Sequence, residues 1–193
     1  MAKLYFRYGT VGSAKTMNLL AVAHNYQQQK KQVLVLKPQV DIRFGVHEVK
    51  SRAGLAMAAD HLITADTVFK ANEFKGTDCI VVDEAQFLSS QVIDQFRAIA
   101  TKENIPVICY GLRTDFRARL FEGSLRLLEV ADSIEEIKTT CAYCNRKAIF
   151  NLKLLNGEPT LDGPTIELGA EERYLPACSK CYQSRVEGLP PRH

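Results

Sequence analysis

Short apolar runs alternate with amphipathic stretches along the first 140 residues of the chain. Four runs are apolar almost throughout and are predicted to be strands: 4–8, 33–36, 79–82 and 106–110. Apolar residues at helical spacing predict a helix from Thr16 onward and another over 88–102. Strands that are apolar throughout are typical of a parallel sheet covered on both faces. We therefore predict an α/β domain over residues 1–140, with a parallel sheet flanked by helices.

The loops that follow these strands are the predicted location of the functional site. In open α/β sheets the ligand crevice lies beyond the carboxyl ends of the strands. The loops after Tyr8, Leu36, Val82 and Tyr110 are therefore expected to converge.

A phosphate-binding pattern lies between the first strand and the first helix. Its residues are Gly9, Thr10, Val11, Gly12, Ser13, Ala14, Lys15 and Thr16. They match Gly-x-x-x-x-Gly-Lys-Thr except that Ala14 replaces the second glycine. In this pattern backbone N–H groups surround the phosphates, the lysine contacts the β- and γ-phosphates, and the threonine hydroxyl binds Mg²⁺. We expect the Ala14 methyl group to crowd the phosphate or to oppose a backbone angle that favours glycine. On this segment alone, an ordinary strand-to-helix turn is the alternative.

Two carboxylates directly follow the predicted strand 79–82. A buried strand that ends in an acid places that acid beside Mg²⁺, so we assign Asp83 to the metal. We assign Glu84 to accept a proton from an attacking hydroxyl group or water. An N-cap acid on the helix 88–102 is the alternative for either residue alone. Together with the phosphate loop, the pair indicates an enzyme that uses a nucleoside triphosphate.

Four of the six cysteines form two Cys-x-x-Cys pairs, Cys141/Cys144 and Cys178/Cys181. In a reducing compartment such pairs indicate metal binding, and four thiolates make a closed, structural zinc site. A disulfide or a redox site is the alternative. We predict a small second domain over 141–193, held by zinc, with a long loop between the pairs and a disordered tail.

Composition and charge exclude several classes of protein. Hydrophobic residues make up 46% of the 193 residues and charged residues 24%, which is typical of a soluble globular protein. A net charge of +3 is too small to favour a nucleic-acid polymer or an anionic membrane as the main partner. We find neither a membrane-spanning run nor a signal peptide, and expect a cytoplasmic location.

Further motifs follow the phosphate loop in a specific order along the chain. They are Lys37-Pro38-Gln39-Val40-Asp41-Ile42-Arg43, then Asp83-Glu84-Ala85-Gln86-Phe87, then Gly111-Leu112-Arg113-Thr114-Asp115-Phe116, and finally Leu168-Gly169-Ala170-Glu171-Glu172-Arg173-Tyr174 between the cysteine pairs. With the phosphate loop and the cysteines, this order resembles the thymidine kinases of the zinc-containing, cytosolic type.

The resemblance implies transfer of the γ-phosphoryl group of ATP to the 5′-hydroxyl of thymidine or deoxyuridine, with Glu84 as the general base. It implies that Asp41, Arg43 and Gln86 join the phosphate loop and Asp83 in the nucleotide site. The residues that match those around the thymine in the family are Phe87, Leu112, Phe116 and Phe121, which periodicity alone would assign to the core. Gly169 and Tyr174 match a loop, or lasso, that closes over the nucleoside. The resemblance also implies a homotetramer, feedback inhibition by dTTP and a role in nucleotide salvage.

Two other classes of protein remain as alternatives. The run Asp83-Glu84-Ala85-Gln86 also resembles the magnesium motif of a DNA-dependent ATPase, but 193 residues are too few for two helicase lobes. A non-catalytic zinc module that binds nucleic acid would leave the phosphate loop and Glu84 without a purpose.

Overall fold

Six parallel strands form the central sheet of the structure, a computed structural model that describes residues 1–41, 45, 47–165 and 172–189. In chain order the strands are β1 Leu4–Tyr8, β2 Val33–Pro38, β3 Glu48–Lys50, β4 Ala56–Ala58, β5 His61–Ile63, β6 Cys79–Val82, β7 Val107–Gly111, β8 Ser133–Glu136, β9 Phe150–Leu155, β10 Glu158–Pro159 and β11 Glu172–Ala177. The α-helices are α1 Lys15–Gln28, α2 Ser90–Ala98, α3 Glu122–Val130 and α4 Ser179–Val186. The order across the central sheet is β5-β2-β6-β7-β1-β8.

Strand β6 shows why the central strands are apolar throughout. Successive side chains of a strand point to opposite faces of the sheet. Ile80 and Val82 therefore join the core formed with α2 and α3, while Cys79 and Val81 join the core formed with α1. All four side chains are fully buried. The predicted parallel sheet flanked by helices is confirmed.

The structure adds detail to the helix that was predicted over 88–102. Helix α2 begins only at Ser90, because the Ser89 side chain accepts a hydrogen bond from the backbone N–H of Val92. After Ala98 the chain continues as a π-helical turn, Ile99–Glu103.

Several elements were not predicted from the sequence. They are the hairpin β3–β4, strand β5 at one edge of the central sheet, and the α3–β8 unit at the other edge. Strand β8 is partly exposed, because an edge strand has a neighbour on one side only. A continuous apolar run is therefore not required there.

A second, antiparallel sheet follows residue 140, with the order β10-β9-β11. Strand β9 pairs along its whole length with β11, and β11 leads directly to Cys178 and α4. This sheet has its own apolar cluster, which includes Leu152, Leu154 and Tyr182 beside the cysteines. The division of the chain into domains at residue 140 stays a prediction.

Helix α3 approaches closely the 3-10 turn Ala85–Phe87 that follows Glu84. A β-carbon on Gly123 would clash with the carbonyl oxygens of Ala85 and Leu88, and the Leu88 oxygen would lie 2.7 Å away. Glycine at 123 therefore allows the helix to support the turn beside Glu84.

We predict that Gly123→Ala lowers the free energy of unfolding by about 1–3 kcal/mol, because the added methyl group forces backbone to move. Alanine otherwise stabilises a helix relative to glycine, so the sign of the change in unfolding free energy distinguishes a backbone clash from a gain in helix propensity. Urea denaturation measures the effect. Leu125→Ala, at an exposed position of the same helix, is the control and should change stability by less than about 0.5 kcal/mol. A stabilised Gly123→Ala protein would contradict the prediction.

Candidate active site

A cavity of about 250 Å³ lies at the carboxyl ends of the central strands. Phosphate-loop residues, including Lys15 and Thr16, line one part of it. Asp41 after β2, the Asp83-Glu84 pair after β6, and Leu112 after β7 also line it. The predicted convergence of the four loops is therefore confirmed.

The phosphate loop contains the backbone angle that the missing glycine would favour. Ala14 directly precedes α1 and has φ 62° and ψ 28°, in the left-handed region. Gly12, two residues earlier, also has a positive φ, 73°. The sequence raised two concerns about Ala14: crowding of the phosphate by its methyl group, and a backbone angle that favours glycine. The structure supports the second, because a β-carbon in the left-handed region costs about 1–2 kcal/mol.

The Lys15 side chain folds over the loop that precedes it. Its Nζ donates a hydrogen bond to the carbonyl oxygen of Thr10 at 2.7 Å and lies 3.4 Å from Ser13 Oγ. The side chain is buried, so its charge is held beside the N-terminus of α1. The first N–H groups of a helix lack partners within the helix, and together with the lysine they suit a phosphate group.

Thr16 and Asp83 bring two oxygen ligands together. Thr16 Oγ1 donates to Asp83 Oδ2 at 3.1 Å. Burial, and then the negative charge of Glu84, raise the pKa of Asp83 to about 7. A divalent cation would stabilise the ionised carboxylate, and hydroxyl and carboxylate oxygens are ligands that Mg²⁺ prefers. These residues therefore fit a magnesium site.

Glu84 is held by its neighbour Gln86. Glu84 has φ 49°, a second left-handed non-glycine residue at the cavity. Gln86 Nε2 donates to Glu84 Oε2 at 2.5 Å, and Gln86 Oε1 accepts from the backbone N–H of Leu112 at 3.0 Å. The structure thus places Gln86 behind Glu84, where it links the loops after β6 and β7.

Asp41 lines the cavity from the loop after β2 and is ion-paired. Its Oδ2 lies 3.4 Å from Nζ of Lys37, and both side chains are buried. Lys37 also donates to the carbonyl oxygen of Glu48 at 3.0 Å, at the start of hairpin β3–β4. The predicted site residues Arg43 and Gly169 lie outside the described residues.

The predicted base-contacting aromatic residues form two contacting pairs. Half-buried Phe87 and Phe121 meet edge to face, with ring centroids 5.6 Å apart. Phe116 and Tyr174 are 6.3 Å apart.

Phe116 is almost fully buried and has two cations over its ring. The Arg117 guanidinium lies 4.3 Å from the ring centroid and Lys153 Nζ lies 4.9 Å from it. These contacts with the ring were not foreseen from the sequence. The roles of all four aromatic residues toward a base stay predictions.

The four paired cysteines meet in one cluster. Cys144 Sγ lies 3.6 Å from Cys178 Sγ and 3.8 Å from Cys181 Sγ, and all four sulfurs lie within 4.8 Å of one another. Four sulfurs about 2.3 Å from a tetrahedral zinc would be about 3.8 Å apart. The cysteines are free thiols, and their arrangement fits a structural zinc ion better than disulfides.

Sequence reasoning missed two cations of the cavity. Lys50, the last residue of β3, and Arg52, in the turn of hairpin β3–β4, line it. Ser51 between them orders the turn, because its Oγ accepts from the backbone N–H of Leu55 at 3.1 Å. Two basic residues in a hairpin match no motif, so no sequence signal distinguished them from a solvated surface.

Comparison with known sequences decides the family. The sequence model of the thymidine kinase family matches residues 2–182. The chain belongs to the thymidine kinase family. It is 42% identical to the thymidine kinase of Lactococcus lactis over 94% of this chain and 97% of that protein. It is 44% identical to the thymidine kinase of Streptococcus gordonii over 94% of this chain and 96% of that protein.

Family membership confirms the resemblance found in the sequence and decides against the two alternative classes. Among solved structures, the crystal structure of the Pif1 helicase from Candida albicans is matched with a TM-score of 0.41 and 13% identity, over 70% of this chain and 36% of that one. A similarity of this size carries no argument about function. None of the described helices is long and apolar enough to span a bilayer.

We predict that Ala14→Gly raises the free energy of unfolding by about 1 kcal/mol, because glycine adopts the left-handed conformation without strain. Affinity for ATP should stay the same or increase. Thermal unfolding and calorimetric titration measure the two effects. Ala21→Gly, at an exposed position within α1, is the control and should destabilise the protein. A destabilised Ala14→Gly protein would show that the loop is not strained.

Proposed function

We propose that the protein transfers the γ-phosphoryl group of ATP to the 5′-hydroxyl of thymidine, and also of deoxyuridine, and that it supplies dTMP in nucleotide salvage. The observation that carries the proposal is one cavity that contains a phosphate loop, two adjacent carboxylates and Leu112, in a chain of the thymidine kinase family. Its curated relatives in Lactococcus lactis and Streptococcus gordonii are thymidine kinases.

The charges in the cavity suit phosphoryl transfer, which depends on positioning and charge neutralisation. The N-terminus of α1 and Lys15 would hold the phosphates of ATP. Thr16 and Asp83 would hold Mg²⁺, which supplies positive charge to the phosphate oxygens when it is bound.

Glu84 is the proposed general base for the 5′-hydroxyl group. Its carboxylate lines the same cavity as Lys15 and Asp83. The Gln86 side chain fixes one carboxylate oxygen at 2.5 Å, which restricts the direction in which Glu84 can accept a proton. A base must lie within hydrogen-bond reach of its proton, so this restraint is functionally useful.

The nucleoside is proposed to lie beside Leu112, among Phe87, Phe116, Phe121 and Tyr174. The half-buried rings of Phe87, Phe121 and Tyr174 provide apolar surface for a thymine base and its methyl group. The loop between the cysteine pairs, with Gly169, is proposed to close over the base. Asp41 and Arg43 are proposed to assist at the phosphates.

The remaining proposals rest on the family resemblance. Cys141, Cys144, Cys178 and Cys181 are proposed to hold a structural zinc ion that joins the two ends of the closing loop in a domain spanning 141–193. Feedback inhibition by dTTP, a homotetramer and a cytoplasmic location complete the proposed function.

An assay with radiolabelled ATP and Mg²⁺ across the four deoxynucleosides tests the reaction. We expect label to pass to thymidine and not to deoxyadenosine, deoxyguanosine or deoxycytidine. Glu84→Gln should retain nucleotide binding but lose turnover by about 10²–10⁴-fold, as expected for removal of a general base. Exposed Glu158→Gln is the matched control and should be normal. Near-normal turnover of Glu84→Gln would remove Glu84 from the role of base.

Removal of zinc tests the proposed clamp. Purified protein should contain one zinc ion per chain, and chelation should raise the KM for thymidine, because the ends of the closing loop are no longer joined. Metal analysis and steady-state kinetics measure both effects. Unchanged thymidine kinetics in metal-free protein would contradict the clamp.

A further inference from the structure

Asn151 is a buried polar residue of β9 that none of the roles above uses. It is 3% exposed. Its Oδ1 accepts a hydrogen bond from the backbone N–H of Val11 at 2.8 Å, and its Nδ2 donates to the carbonyl oxygen of Thr114 at 2.9 Å. One side chain of the second sheet therefore contacts the phosphate loop and the loop after β7.

The contact with Val11 is the more consequential of the two. An unsatisfied buried N–H group is rarer in proteins than an under-satisfied carbonyl oxygen. Val11 directly precedes Gly12, at the start of the left-handed part of the phosphate loop, where φ is 73° at Gly12 and 62° at Ala14. Regular strand or helix hydrogen bonds do not hold this part of the loop, so an external restraint has a large effect on its conformation.

The strand that carries Asn151 is connected to the cysteine cluster at its first residue. Cys141 and Cys144 precede β9, and the last residue of β11, which directly precedes Cys178, pairs with the first residue of β9. The backbone N–H of Ala142 also donates to the carbonyl oxygen of Pro176 at 2.8 Å. Restraint of the backbone at the cysteines therefore also restrains β9, because few hydrogen-bonded backbone groups separate the two.

A second buried contact joins the cysteine cluster to the loop after β7. Tyr182 directly follows Cys181, and its hydroxyl donates to the carbonyl oxygen of Phe116 at 2.6 Å. Asn151 reaches the phosphate loop as well as Thr114 in the loop after β7, whereas the Tyr182 hydroxyl bonds to the loop after β7, in a segment proposed to contact the base.

We propose that Asn151 is a positioning residue that couples the cysteine cluster to the donor-nucleotide site. Its side chain holds the Val11 N–H and so keeps the phosphate loop in the conformation that receives ATP. The cysteine cluster thereby supports ATP binding as well as nucleoside binding. The inference rests on the proposed function only for the identity of the nucleotide. The contact between Asn151 and Val11 does not depend on it.

The expected effect follows from the population of the binding-competent loop. Apparent affinity falls in proportion to the fraction of protein in the competent conformation. Loss of one buried hydrogen bond typically changes the equilibrium constant between the competent and other loop conformations by about tenfold. Asn151→Ala should therefore weaken binding of a non-hydrolysable ATP analogue by up to about tenfold, with a smaller change in the KM for thymidine.

Tyr182→Phe provides the matched control, because it removes one buried hydrogen bond from the same cluster without touching the phosphate loop. It should raise the KM for thymidine and leave affinity for the ATP analogue unchanged. Both variants should retain zinc. The wild-type protein, Asn151→Ala and Tyr182→Phe are compared by calorimetry with the ATP analogue, by thymidine kinetics and by metal analysis. Equal effects of both variants on both ligands would show general loosening and overturn the proposal.

Zinc removal supplies a test of the coupling. In the wild-type protein, chelation should weaken binding of the ATP analogue, whereas in Asn151→Ala it should add less than about a twofold further loss, because the connection is already broken. Additive losses would overturn the coupling. If Asn151→Ala does not fold, hydrogen exchange of the wild-type Val11 amide decides: protection that is lost on chelation supports the proposal, and an unprotected amide overturns it.

Failure of the proposed function gives a different result. A wild-type protein that does not phosphorylate thymidine, but whose affinity for the ATP analogue falls in Asn151→Ala, would contradict the proposed substrate and support the role of Asn151. Normal thymidine turnover with unchanged analogue affinity in Asn151→Ala would overturn the inference and leave the proposed function intact.

Discussion

Burial of the central sheet on both faces is the constraint on which the rest of the structure depends. Because α1 covers one face and α2 and α3 cover the other, residues within the central strand β6 are apolar whichever way they point. The charged groups of the cavity collect where strands end. Lys15, Asp83 and Glu84 occupy such positions, in loops that the parallel arrangement brings to one edge of the sheet.

Two non-glycine residues in left-handed conformations lie at that edge, Ala14 and Glu84. Strained backbone persists where surrounding contacts hold it, and it is frequent at functional sites. Each of the two segments has such contacts. Lys15 donates back to Thr10 within the phosphate loop, and Gln86 binds both the Glu84 carboxylate and the loop after β7. The strain at both residues is therefore compatible with a preorganised site.

The cysteine cluster is connected to the phosphate loop and the loop after β7 through long-range contacts of buried side chains. Asn151 joins the phosphate loop to the second sheet, and Tyr182 joins Phe116 to α4. In such an arrangement a structural metal ion would contribute to function without touching the substrate. Its contribution would be the restriction of loops that otherwise sample several conformations.

The sequence by itself determined the fold class, the phosphate loop, the Asp83-Glu84 pair and the cysteine pairs, because hydrophobic periodicity and motif spacing are local properties of the chain. It also raised the question of backbone angle at Ala14, and only the structure placed that residue in the left-handed region. The edge strands β5 and β8 were missed, since half-exposed strands need no continuous apolar run.

Only the tertiary structure decided which distant residues meet. Three features join segments far apart in the chain: the contact of Gln86 with Leu112, the position of Lys50 and Arg52 on the cavity wall, and the contact of Asn151 with Val11. An asparagine within an apolar strand has the same local pattern whether it bonds to water or to a loop 140 residues away. Packing of the two sheets determines its partner, and that information is present in no local stretch of the sequence.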